Sequence, residues 1–153
     1  MRYIGILFFI LLFGCSSNPN KEREEKLIDL LQSYQLGSSL DKSIYLITIT
    51  GGCGGCMQEA ATFIRTNVKD NRYLFIISTD SRKAVSLDFE YHVRQSPNFL
   101  IDTKLLAQKY ELVEIEHPVI YFCKNKKVVD IRELTYQNAD SLFSYINNFL
   151  DNL

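Results

Sequence analysis

Ile44 to Thr50 is a run of aliphatic, aromatic and β-branched residues, and it leads directly into Gly51-Gly52-Cys53-Gly54-Gly55-Cys56. The run reads as a buried strand. Four of the chain's seven glycines fall between positions 51 and 55, so the strand must end there in a tight turn. Met57, Ala60, Ala61, Ile64 and Val68 then recur at helical spacing. Tyr73 to Ser78 is a second continuous apolar run. A strand, a helix and a strand in this order form a right-handed crossover between parallel strands. That unit fixes the fold class as α/β, with a central sheet flanked by helices.

The remaining segments fit around it. Leu27, Leu30, Leu31 and Tyr34 predict a helix over 22–35 that stops near Gly37. The mixed charges of 21–26 read as its solvated first turns. A helix is expected over 81–94, with Val85, Phe89 and Val93 on one face, followed by a short strand over 98–101 and a short helix over 104–110. Val119 to Cys123 and Lys127 to Arg132, joined by Lys124-Asn125-Lys126, read as a hairpin. From Asn138 or Asp140 onward, Leu142, Phe143, Ile146, Phe149, Leu150 and Leu153 make a closing amphipathic helix. The chain's 153 residues amount to one domain, large enough to bury a core without staples. Four cysteines are too few for a disulfide-dense scaffold. With 17 basic and 18 acidic side chains, the chain lacks the cationic surface that nucleic-acid binding requires.

The N-terminus reads as an address. Met1 and Arg2 precede an apolar run from Ile4 to Gly14, which is too short to span a bilayer and has signal-peptide length. Leu12-Phe13-Gly14-Cys15 resembles a bacterial lipoprotein signal, although Phe13 is bulkier than usual at its position. The resemblance implies cleavage after Gly14, lipidation of Cys15 and a tether through residue 26, with the domain over 27–153. It places the protein at the bacterial cell envelope, anchored by lipid and facing the periplasm or the exterior. Disulfides persist there under the control of dedicated redox partners.

Cys53 and Cys56 carry the chemistry. They sit where a strand becomes a helix, and the unpaired N–H groups and positive dipole end of a helix N-terminus favour thiolate. Only thiolate attacks a disulfide. The i, i+3 spacing lets the second sulfur resolve a mixed disulfide formed on the first. The same spacing could serve as half of a zinc site. Zinc would then want a second close pair, and His117 with Cys123 does not have knuckle spacing.

From Ser43 to Leu150 the chain resembles a thioredoxin-like fold, and Pro97 to Tyr110 resembles the strand–helix insert of redoxin-type, TlpA-like thiol–disulfide oxidoreductases. Cys53, Cys56 and Pro118 carry the resemblance most specifically. It implies that Pro118 follows a cis bond and faces the sulfurs, and that His117 lies beside them and offers its backbone to an extended substrate. The sequence departs from the thioredoxin pattern in three places. Gly52 stands for the aromatic before the first cysteine, Ile47 for the buried acid, and Gly54-Gly55 for Gly-Pro. Without that acid, the Cys56 proton must go to water, to His117 or to another acid; Glu59, Glu114 and Glu116 are candidates that spacing does not separate. Cys123 reads as a small buried apolar residue, His92 as a surface residue, and Lys124, Lys126 and Lys127 as a polar hairpin tip.

The expected function is a membrane-tethered thiol–disulfide oxidoreductase that reduces protein disulfides outside the cytoplasm. Cys53 and Cys56 are its catalytic residues, and His117 and Pro118 position the substrate. No cofactor is required. The expected partners are a protein thiol or disulfide and a redox partner, acting on a monomer. Two other readings stand beside it. One is a copper-binding module using Cys53, Cys56 and His117, since thiolates suit Cu(I). The other is a noncatalytic interaction domain that retains a disulfide.

Overall fold

The computed structural model describes residues 19–153. The apolar leader, Cys15 and the start of the tether lie outside the described residues. No described helix is long and apolar enough to cross a membrane.

The architecture is a five-stranded mixed sheet flanked by helices. In chain order the elements are α1 (Pro19–Ser33), β1 (Ile44–Ile49), α2 (Gly54–Asn67), β2 (Tyr73–Ser78), α3 (Arg82–Asp88), α4 (Tyr91–Arg94), β3 (Phe99–Asp102), α5 (Leu106–Lys109), β4 (Val119–Lys124), β5 (Lys127–Glu133) and α6 (Ala139–Asp151). The strands lie in the order β3-β2-β1-β4-β5. β1, β2 and β3 run parallel, while β4 is antiparallel to both β1 and β5.

β1 is central and buried on both faces, because successive side chains alternate across a sheet. Ile44 and Leu46 point into a core shared with Ala60 and Ile64 of α2 and with Leu142 and Ile146 of α6. Phe63 stacks on Phe143 with ring centroids 4.5 Å apart, locking α2 to α6. Tyr45, Ile47 and Ile49 point the other way, toward Leu27, Leu30 and Leu31 of α1 and Ala107 of α5.

Three local features differ from the sequence expectations. The helix expected over 81–94 is two short helices, broken at Phe89, whose backbone is extended (φ −131°, ψ 132°). The break turns the chain so that Phe89 and Val93 both enter the first core, where the Phe89 ring meets Phe99 edge-on at 5.0 Å. The first helix starts at Pro19 rather than 22, and charges of its first turns reach partners outside the helix. Glu24 accepts from the Val128 N–H at 2.6 Å, and Lys26 pairs with Glu111 at 3.0 Å. The helix expected from Lys104 starts at Leu106, after a left-handed Leu105 (φ 56°).

Asp102 explains that last shift. Its fully buried carboxyl receives the N–H groups of Leu106 and Ala107, the Tyr34 hydroxyl at 2.6 Å and the Ser78 hydroxyl at 2.9 Å. One side chain thus satisfies the start of α5 and ties Tyr34, just past α1, to β2 and β3. In the hairpin, Asn125 and Lys126 both have positive φ (54° and 62°), as a two-residue turn between twisted strands requires.

Burial pushes the Cys123 thiol and the Tyr73 and Tyr121 phenols each up to about 12, and raises Tyr45 as well. An unfolded chain releases such protons near the ordinary values of 9.0 for the thiol and 10.0 for the phenols. Above those values the folded state holds more protons than the unfolded one, so stability falls as pH rises. Urea midpoints should drop steadily between about pH 9 and about pH 11; a flat midpoint over that range would contradict these assignments.

Candidate functional site

β1 ends at Ile49, and Gly51 turns the chain at φ +93°, a conformation that side chains disfavour. Cys53 is the N-cap of α2. Its carbonyl accepts from the Met57 N–H at 2.9 Å, and its sulfur accepts from the Cys56 N–H at 3.3 Å. The first turn of α2 contains no acidic residue, so nothing offsets the positive end of the helix dipole there.

The sulfurs of Cys53 and Cys56 form a disulfide, with Cα atoms 5.3 Å apart, within the ordinary range for such a bond. The two cysteines are not equivalent. Cys56 is 1% exposed, whereas Cys53 is half-buried and open to solvent.

The loop from Glu111 to Pro118 closes over the turn. The Cys53 N–H donates to the Glu116 carbonyl at 3.1 Å. A Cβ built on Gly52 would lie 2.5 Å from the Ile115 carbonyl oxygen, so the close approach of the two backbones requires glycine. This contact delivers His117, whose Nδ1 lies 3.5 Å from Cys56 Sγ. The two sulfurs and a His117 ring nitrogen all lie within 4.8 Å of one another.

The structure therefore brings together Cys53, Cys56 and His117, with Pro118 next in the chain. One expectation is corrected. No peptide bond among the described residues is cis, so the bond before Pro118 is trans. Trans is the lower-energy isomer of an X–Pro bond by about 0.5–1 kcal/mol, and the loop brings His117 to the sulfurs with that isomer. Pro118 is buried, and its carbonyl accepts from the Leu134 N–H at 2.7 Å, which ties the loop's end to the chain after β5. It is the His117 ring that faces the pair.

Other candidates fall outside the cluster. Cys123 is buried in the core on the α1 side of the sheet, and His92 is exposed on α4. Ile47, at the position of the missing acid, is buried among apolar side chains. Glu59, Glu114 and Glu116 are not among the groups gathered at the sulfurs.

Three features escaped the sequence reading. Tyr136 lies against Gly55, with its ring 3.4 Å from where a Cβ would sit, yet it is 66% exposed. Ile115 is 71% exposed on the opposing loop. A cleft of about 370 Å³ opens beside the turn, lined by Gly51, Gly52, Met57, Ala61, Arg65 and Phe89 among others. Only the exposure of two large apolar residues marks this surface, and exposure is not written in local spacing.

Comparison with known proteins finds no matching family model, no curated protein and no solved structure that the chain significantly resembles.

The packing of the turn against the loop separates two glycines by their effects. Gly52→Ala should destabilise the fold by about 1–3 kcal/mol, the usual range for overpacking, and should move His117 away from Cys56. Gly54→Ala meets nothing within 4 Å and should be nearly neutral. Denaturant unfolding of both variants checks this ranking, and equal stability would contradict it.

Proposed function

We infer that this chain is a thiol–disulfide oxidoreductase of thioredoxin-like architecture. The observation that carries the reading is the asymmetric pair at the N-cap of α2: Cys53 is half-buried, and its partner Cys56 is fully buried. A purely structural disulfide has no need of that arrangement, whereas thiol exchange needs one reachable sulfur and one sheltered resolving sulfur. The order strand, Cys-containing helix, strand, hairpin, helix also supports the reading, with α2 and α6 packed on one face. Two departures from the thioredoxin pattern stand against the family comparison: Ile47 at the acid position and a trans bond before Pro118.

In the reduced state, Cys53 thiolate attacks one sulfur of a substrate disulfide. A bond forms between Cys53 Sγ and that sulfur, and the other substrate sulfur leaves as thiolate. Cys56 Sγ then attacks Cys53 Sγ, which closes the internal disulfide and releases the second substrate thiol. The substrate gains two electrons and the pair loses two. A thiol redox partner restores the pair by the reverse exchange. His117 Nδ1 is placed to accept the Cys56 thiol hydrogen as a hydrogen bond before resolution. Tethering at the envelope through Cys15 belongs to the same proposal and rests on the sequence of residues 1–20. Reduction of exported protein disulfides is the direction implied by the resemblance to tethered thiol–disulfide oxidoreductases.

Turnover of a peptide disulfide with a thiol reductant tests the reading. Cys53→Ser should abolish it, and Cys56→Ser should accumulate a mixed disulfide on Cys53. Wild-type turnover retained in Cys53→Ser would sink the reading.

A further inference from the structure

We propose that the reduced form of the site binds one Cu(I) ion through Cys53 Sγ, Cys56 Sγ and His117 Nδ1. Two soft sulfur donors and one imidazole nitrogen converge within 4.8 Å of one another, from two segments 61 residues apart in sequence. No fourth His, Cys, Asp or Glu ligand joins them among the described residues. That set suits a cuprous ion better than zinc. Thiolates select soft metals, a d10 Cu(I) ion is satisfied by three donors, and a structural zinc site takes four protein ligands.

The surroundings fit the charge that results. Two thiolates and one Cu(I) carry a net charge of −1, and the complex would form at the start of α2, whose first turn holds no acidic residue. Access fits as well. Cys53 and His117 are half-buried, so an ion enters from solvent, while Cys56 is sheltered beneath. Cys123 is buried in the other core and takes no part.

The disulfide and the metal site exclude each other, because they use the same sulfurs. A dithiol or phosphine reductant supplies two electrons, and two protons come from solvent, converting the disulfide to two thiols. Cu(I) then displaces the two thiol protons to solvent and does not change oxidation state. This site shares its sulfurs with the proposed redox pair but requires only that the pair be reducible, not that it turn over substrate.

Anaerobic titration of the phosphine-reduced, full-length protein with Cu(I) against a chromogenic cuprous chelator tests the proposal. One equivalent should bind to the reduced protein and none to the oxidised protein. His117→Ala, which removes a direct donor, should bind at least about 10-fold more weakly, since loss of even an outer partner of a ligand typically costs about 10–100-fold, while Cys123→Ser should match wild type. X-ray absorption should show two sulfurs and one nitrogen on copper in wild type and no such nitrogen in His117→Ala. Thiol-alkylated wild type, which keeps His117, supplies the baseline. Binding no greater than that baseline would overturn the proposal, and so would unaltered binding by His117→Ala or a preference for Zn(II) in direct competition. Disulfide turnover measured on the metal-free preparation separates this failure from failure of the redox reading.

Discussion

The site depends on where β1 stops. β1 is buried on both faces, so its register is fixed twice over, by α2 and α6 on one side and by α1 and α5 on the other. A slip of one residue would exchange the two sets of side chains. The end of the strand is therefore placed to within a residue, and Gly51 turns the chain there without a steric penalty. Two residues on, Cys53 is the N-cap of α2.

The second half of the site is delivered by backbone contact. Gly52 lets the Ile115 carbonyl come close, and the Cys53 amide binds the Glu116 carbonyl, so the loop before β4 is registered against the cysteine turn. β4 also pairs with β1, which holds the far end of the same loop on the same strand. His117 is thus positioned by two independent constraints. A trans bond before Pro118 is compatible with both of them.

Much of this was legible in the sequence. β1, β2, α2, the hairpin and α6 follow from long, regular apolar patterns, which tertiary packing reinforces. Cys53 and Cys56 at the start of α2 were visible in their spacing after β1, whereas His117 beside them was expected only from the resemblance, and the structure brings its ring to the pair. The breaks were not legible. Val85, Phe89 and Val93 have helical spacing, yet the backbone is extended at Phe89, a break that the apolar pattern does not mark. Asp102 carried no local signal, since its partners Tyr34, Ser78 and Ala107 come from three other segments. The isomer at Pro118 was expected from a resemblance rather than from any residue pattern, and there the structure differs.

The reduction potential of the Cys53–Cys56 pair, measured by equilibration with glutathione, bears most directly on the role assigned to these two sulfurs. An exchanging pair should equilibrate fully, with a potential between about −270 and about −120 mV, the span of known exchange proteins of this kind. A potential below about −300 mV, where structural disulfides lie, would contradict that role and leave the bond as a staple.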